Sequence, residues 1–308
     1  MTDSPRVALA PRSEAFAADA VAAGGGVVVD LADRPDAVVW TTPGDWADLG
    51  DALDRAPGAG WVQLPFAGVE EVAGEGLLTA DRTWTCAKGV YSEPVAEHAL
   101  ALALAGLRSL AQFARAGRWT GQAARTLYDA PVVVLGGGGI TEALVDLLRP
   151  FRCDVTVVRR DAGTPVEGAA RTVGTDQLDD VLPHARVVVL ALALTPDTEH
   201  VIGARQLERM ASDAVLVNVA RGRHVDTDAL VRALREERIG AAALDVTEPE
   251  PLPDDSPLWS LPTCLITPHT ANPWSTAQPL LAARIAENVR RFAAGGPLLG
   301  LVDADAGY

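Results

Sequence analysis

The stretch Val132 to Ile140, VVVLGGGGI, constrains this chain more than any other. An apolar, β-branched run breaks into four consecutive glycines and passes directly into TEALVDLLRPF. Strand, glycine turn and helix in immediate succession form a cradle for a pyrophosphate. The glycines let the backbone approach the phosphates, and the helix start offers N–H groups and the positive end of its dipole. Such a turn needs a parallel sheet around it, so the remaining elements must supply strands and crossover helices.

They do. In the first hundred residues, Val7–Ala10, Val27–Val29, Val38–Trp40 and Trp61–Leu64 read as strands. Ser13–Ala22 and Trp46–Ala56 read as the helices between them, a pattern that implies βαβ units. Pro65-Phe66-Ala67-Gly68-Val69 follows the fourth strand, where an open parallel sheet places its ligands, and also fits a plain strand–helix turn. Ser92 and Pro94 open a helix that is apolar on nearly every face to about Leu110, and Gly117–Arg125 reads as a linker. Beyond the glycine turn, strands are expected at Asp154–Val158, Val187–Leu194, Ala214–Val217, Ala241–Leu244 and Cys264–Thr267. Helices are expected at Ile140–Leu148, Gln177–Leu182 and Asp226–Glu237, and a last one starting at Pro279. The fold class is α/β with parallel sheets in two domains.

Length and charge narrow the partners. A chain of 308 residues suits two cores better than one. The net charge of −15 argues against nucleic acid or an anionic membrane surface, both of which demand a basic face. Ala99–Leu107 and Val187–Leu194 are the longest apolar runs, short of the roughly 20 residues a membrane helix needs. Cys86, Cys153 and Cys264 lie far apart with no His/Cys cluster, so no metal site is expected. Reduced thiols and the absence of a signal-peptide pattern in MTDSPRVALAPRSEAF suit a soluble, cytoplasmic protein.

Three charged groups each follow an expected strand of the second domain: Arg221, Glu250 and His269. An arginine can hold a carboxylate bidentately. A histidine can exchange a proton with a substrate oxygen near neutral pH, and a carboxylate beside it favours the imidazolium and fixes its orientation. With a dinucleotide, the reaction class narrows to hydride transfer between a carbinol and a carbonyl. Taken singly, each residue also fits a solvated or structural position.

Several stretches together resemble the D-isomer-specific 2-hydroxyacid dehydrogenase family, which includes phosphoglycerate dehydrogenases and glyoxylate/hydroxypyruvate reductases. They are GGGGI (136–140), LTPDTEHVIG (194–203), NVARG (218–222), ALDVTEPEPL (243–252) and TPHTA (267–271), with SEPVAEHALAL (92–102) and QLPFAGVE (63–70) before them. The resemblance spans nearly the whole chain in the right order. It implies two Rossmann/flavodoxin-like domains with parallel sheets and an active-site cleft between them, residues 1–101 with 275–308 forming a discontinuous substrate-binding domain and 102–274 a dinucleotide-binding domain. It implies that Arg221 binds the carboxylate and carbonyl of a small 2-oxo acid. It makes His269, paired with Glu250, the general acid in reduction and the base in oxidation. Backbone N–H groups of Ala67 and Gly68 would grip the substrate carboxylate. Gly136, Gly138, Gly139, Ile140, Thr195, Ala220 and Asp245 would hold the cofactor, Asp245 at its nicotinamide end. A homodimer formed through the cofactor domain is also implied. The longer phosphoglycerate dehydrogenases carry a C-terminal regulatory module that is not expected here.

Two departures from the family fingerprint matter. Thr141 stands where G-x-G-x-x-G has its third glycine, a position that serves helix–strand packing more than the phosphates. Arg159 stands where an acid would bond the ribose 2′-OH. Arg159 and Arg160 can instead pair with a 2′-phosphate, which favours NADP(H) while leaving NAD(H) possible, unless both are merely solvated. The leading expectation is an NADPH-dependent 2-oxoacid reductase. The alternative is a non-catalytic dinucleotide sensor that binds partner proteins on the same fold.

Overall fold

In a computed structural model, residues 4–42 and 46–303 can be described. The chain divides into two compact units, Met1–Tyr91 with Pro273–Tyr308, and Ser92–Asn272. The division falls at the start of the Ser92–Leu107 helix and not at 101/102, because that helix packs onto the Gly139–Leu148 helix and the strands of the second unit.

The first unit contains a five-stranded sheet built from β1 (Arg6–Ala10), β2 (Val27–Val29), β3 (Ala37–Trp40), β4 (Trp61–Gln63) and β5 (Thr83–Thr85). All its pairings are parallel, in the order β2-β1-β3-β4-β5. Val38, Trp40, Leu49, Leu53, Val62, Val72 and Trp84 form a core on one side. On the other, the Ala15–Ala23 helix packs against the long Trp274–Ala293 helix. That last helix starts at Trp274 rather than Pro279, with the proline inside it. Its buried stripe, Ala277, Leu281, Ile285 and Val289, already runs on the N-terminal side of the proline, so packing outweighs the one helical hydrogen bond that proline removes.

The same helix carries the buried Asn288 into the sheet. Asn288 Nδ2 donates to Gln63 Oε1 (2.9 Å) and to the Leu299 carbonyl (3.0 Å), and its Oδ1 accepts Leu299 N–H (2.8 Å). Gln63 Oε1 also accepts from Thr85 Oγ1, which in turn accepts from Trp61 Nε1. Every member has a partner, which is the condition for a buried polar network to hold two chain segments in one register.

The second unit has a seven-stranded sheet: β6 (Pro131–Leu135), β7 (Asp154–Val158), β8 (Arg171–Val173), β9 (Val187–Leu190), β10 (Val215–Asn218), β11 (Ala241–Leu244) and β12 (Cys264–Ile266). It is parallel throughout, in the order β12-β11-β10-β9-β6-β7-β8. Although the strands look uniformly apolar, their residues alternate between two cores, as a pleat requires. Val133, Leu135, Val188, Leu190, Leu216, Ala242 and Leu244 face the Thr227–Arg235 helix. Val132, Val134, Val187, Val189, Val215, Val217 and Ala243 face the Ser92–Leu107 and Gly139–Leu148 helices. The strand order reverses beside β6, the switch point at which such sheets open a crevice at their carboxyl edge.

Two expectations need correction. The apolar run Val187–Leu194 leaves the sheet after Leu190, since the chain must bend where Ala191 meets the glycine turn. Strands β5 and β8 are absent from the sequence reading, because TWT and RTV, unlike the equally short VVV of β2, hold no unbroken apolar run.

Asn288→Ala should leave the Leu299 N–H and carbonyl without their partner and take one of its two donors from Gln63 Oε1. A loss of about 2–3 kcal/mol is expected from urea unfolding followed by tryptophan fluorescence. An unchanged midpoint would show that water replaces the amide.

Candidate active site

The glycine turn joins β6 to the Gly139–Leu148 helix, with Gly138 as its N-cap. Gly136 has φ +103°, and a Cβ there would lie 2.1 Å from the Ala191 carbonyl oxygen, so only glycine lets the turn pass the end of β9. Thr141 is fully buried, and its hydroxyl donates to the Gly136 carbonyl (2.9 Å). The side chain standing in for the third glycine therefore ties the turn to the first helical turn. Gly139 and Ile140 begin the helix, leaving their N–H groups at its open end.

Arg159 follows β7 and lies over the turn: a Cβ on Gly137 would come within 2.9 Å of Arg159 Cδ. Its guanidinium donates to the Thr164 carbonyl (3.1 Å). Arg160, next to it, is exposed. The nearby acid Asp161 is turned into its own loop, where it accepts Thr164 Oγ1 and Gly163 N–H, bonds that hold its carboxyl below the usual range. Thr195, after β9, is fixed by Thr198 Oγ1, which accepts its N–H (2.8 Å).

The segment after β10 is shaped by Asn218, which the sequence reading passed over. Its buried side chain accepts Ala220 N–H (3.0 Å) and donates to the Arg221 carbonyl (2.8 Å), forming a small closed turn that presents Arg221. Gly222 then runs against the segment after β11: an added Cβ would sit 1.9 Å from the Thr247 carbonyl oxygen. That close approach brings the Arg221 and Glu250 segments together. His269, after β12, has left-handed backbone (φ +49°), and its Nδ1 lies 2.6 Å from Glu250 Oε1. The Glu250 hydrogen bond raises the His269 pKa against the opposing effect of burial. Burial works to raise Glu250, but the bond and charge of His269, with Arg221 adding its charge, bring it below the ordinary value. All three predicted catalytic groups thus sense one another.

Asp245 anchors this edge. Its side chain is 1% exposed. Oδ1 accepts from Thr267 Oγ1 (2.6 Å) and Thr270 N–H (2.9 Å), and Oδ2 from Ala271 N–H (2.9 Å). Its backbone carbonyl accepts His269 N–H (2.7 Å). His98 Nε2, on the Ser92–Leu107 helix, lies 3.2 Å from Oδ1 and 3.0 Å from Thr267 Oγ1. Burial pushes the acid upward, yet these donors outweigh it and hold the pKa at about 2. Asp245 is therefore ionised at any working pH.

In the first unit, the Pro65 carbonyl accepts the buried Tyr91 hydroxyl (2.6 Å) and the Phe66 carbonyl accepts Ala87 N–H (2.7 Å). Burial raises the Tyr91 pKa, so the phenol keeps its donating proton. In a planar trans peptide the N–H points opposite to its carbonyl. Tethering the Phe66 carbonyl therefore turns Ala67 N–H away from Ala87, on an exposed stretch of the loop. Tyr91 and His98 both escaped sequence reasoning, since nothing local marks a tyrosine or a helical histidine as a tether. Among the described residues, no group of three metal-binding side chains occurs, and no helix is long and apolar enough to cross a membrane.

Residues 136, 159, 195, 221, 245 and 269 thus all follow the carboxyl ends of strands in one parallel sheet, with the glycine turn at its switch point. Comparison with known proteins agrees. Residues 98–271 match the D-isomer specific 2-hydroxyacid dehydrogenase family in its NAD binding domain. A glyoxylate reductase of Aeropyrum pernix is 32% identical over 259 residues, 80% of this chain and 76% of that one. A D-isomer specific 2-hydroxyacid dehydrogenase of Xanthobacter autotrophicus Py2, solved with NADPH and MES, is 30% identical with a TM-score of 0.85, covering 99% of this chain and 100% of that one. An NADPH-dependent glyoxylate/hydroxypyruvate reductase of Sinorhizobium meliloti, solved with NADP and sulfate, is 25% identical with a TM-score of 0.83 and coverages of 99% and 100%. The chain belongs to the D-isomer-specific 2-hydroxyacid dehydrogenase family, and is an oxidoreductase that acts on CH–OH groups with a nicotinamide dinucleotide.

Proposed function

We propose that this enzyme reduces small 2-oxo acids to D-2-hydroxy acids with NADPH. The observation that carries the reading is the 2.6 Å His269–Glu250 pair within electrostatic reach of Arg221, at the carboxyl edge of a dinucleotide sheet. When bound, the nicotinamide supplies or receives the hydride. Arg221 binds the substrate carboxylate and polarises its carbonyl. The N–H groups of Ala67 and Gly68, in the loop after β4, are the donors the first unit offers to a carboxylate. His269, with Nδ1 engaged by Glu250, uses Nε2 to protonate the carbonyl oxygen in reduction and to take that proton back in oxidation. Glu250 keeps the imidazolium stable until the proton is needed.

The turn at Gly136, Gly138, Gly139 and Ile140 holds the pyrophosphate, and Thr195, Ala220 and Asp245 line the way to the nicotinamide. Among the described residues Asp245 Oδ2 accepts only from Ala271 N–H, which would leave a lone pair for the carboxamide. Arg159, lying over the turn, and the exposed Arg160 receive the 2′-phosphate, while Asp161 is committed to its own loop. The intact charged set gives the non-catalytic sensor no support. Free Cys86, Cys153 and Cys264 suit the reducing cytoplasm.

We further infer a homodimer formed through the second unit, where Leu110, Trp119 and Tyr128 are half or fully exposed. Sedimentation equilibrium should give a dimer that Trp119→Glu with Leu110→Glu converts to monomer; a monomeric parent protein rejects it.

Steady-state rates on glyoxylate, hydroxypyruvate and related 2-oxo acids, with NADPH and NADH in parallel, test cofactor and reaction together. NADPH should give the higher kcat/KM, and Arg159→Ala should erase most of that advantage, about tenfold or more. A clear NADH preference would sink the phosphate-binding role.

His269→Gln should lower kcat by about 10²–10⁴-fold, and Arg221→Ala should lower kcat/KM by roughly tenfold to hundredfold. Coenzyme affinity should change little in either. Reduction needs protonated His269, whose pKa is raised, so the rate should hold at low pH and fall as pH rises through that raised value. Oxidation should show the opposite limb. Glu250→Gln removes the cause of the shift and should move both limbs to lower pH; limbs that stay in place would dissociate the pair from the chemistry.

A further inference from the structure

We propose that His98 is a positioning residue: it holds the Thr267–Ala271 segment, through Asp245 and Thr267, so that His269 meets Glu250. This rests on the reading of His269 as the proton carrier. Thr267 Oγ1 gives its own hydrogen to Asp245 Oδ1 at 2.6 Å, so toward His98 it can only accept. Asp245 is an ionised carboxylate and also only accepts. His98 Nε2, 3.0 Å from one oxygen and 3.2 Å from the other, must therefore carry the hydrogen and share it between them.

The consequence is geometric. His269 sits in left-handed backbone, which a non-glycine residue keeps only where its surroundings over-determine it. Its surroundings here are the Asp245 hydrogen bonds: Thr267 Oγ1 and the N–H groups of residues 270 and 271 to the carboxylate, and His269 N–H to the carbonyl. His98 is the one side chain in this cluster that comes from a helix packed under the sheet rather than from the loops themselves. It is 20% exposed and bonded at the two atoms that start the cluster. Without its hydrogen, Thr267 is free to turn its hydroxyl from Asp245, and the loop loses its outermost tie.

The test compares His98→Leu, which keeps bulk without a donor, with His98→Gln, whose amide can place an N–H near the Nε2 position. Two readouts are taken: kcat and KM for 2-oxo acid reduction, and the titration of His269 in enzyme without coenzyme, from ring nitrogen shifts of 15N-histidine-labelled protein assigned with His269→Gln. The charges facing His269 are Glu250, Arg221 and Asp245. His98→Leu should lower the His269 midpoint as the Glu250 contact loosens. It should also reduce kcat about tenfold to hundredfold with KM for NADPH within about twofold. His98→Gln should restore both. An unmoved midpoint with normal kcat, a fall in kcat with the midpoint unmoved, or no recovery in His98→Gln each overturns the proposal. Should His98→Leu fail to fold, Thr267→Val removes the same oxygen's bonds and is judged by the same readouts. If the parent enzyme reduces no 2-oxo acid while His98→Leu still shifts the midpoint, the positioning role stands and the reading of His269 as proton carrier falls.

Discussion

The buried carboxylate of Asp245 is the interaction on which the reactive edge of the second unit depends. An ionised acid inside a protein is tolerable only when hydrogen-bond donors replace the water it has lost. Here those donors come from Thr267, Thr270, Ala271 and His98, and their combined effect keeps the group charged at about two pH units above zero. The dependence runs both ways. The acid needs the loop to stay ionised, and the loop needs the acid to hold His269 in a backbone conformation it would not choose alone. Removing either leaves a buried group without partners.

A second constraint is closeness of backbone to backbone. Gly136 passes the end of β9 and Gly222 passes the segment after β11 at distances that exclude any side chain. The first contact sets the mouth of the glycine turn; the second draws Arg221 toward Glu250. Thr141 shows how such a turn accommodates a departure from its fingerprint. A hydroxyl bonded to the Gly136 carbonyl provides polar pairing in a space that glycine would leave to packing alone.

Charge balance along the sheet edge then divides the labour. Arg159 stands at the outer end, over the glycine turn. Arg221 stands near the His269–Glu250 pair, lowering the pKa of both partners while Glu250 raises that of His269. The histidine is thereby kept between two opposing charges, with the Glu250 contact the larger effect.

Much of this was legible in the residues. The β-branched runs, the glycines after β6 and the charged residues after later strands specified a parallel α/β chain and named Arg221, Glu250 and His269, because period, turn chemistry and position after a strand are local properties. The start of the last helix was misplaced at Pro279, since its buried stripe is decided by packing and not by proline. β5 and β8 were invisible because TWT and RTV hold no unbroken apolar run. His98 and Tyr91 went unnoticed because each acts on a segment far from it in sequence: His98 bonds Thr267 across 169 positions. Asn218 acts on Ala220 and Arg221 close beside it, yet nothing in NVARG alone shows that its side chain closes a turn. The sequence by itself determined which chemical groups the enzyme carries and the order in which strands present them. Tertiary structure alone decided which of those groups touch, because hydrogen bonds and close backbone approaches depend on distances that only the packed sheet sets.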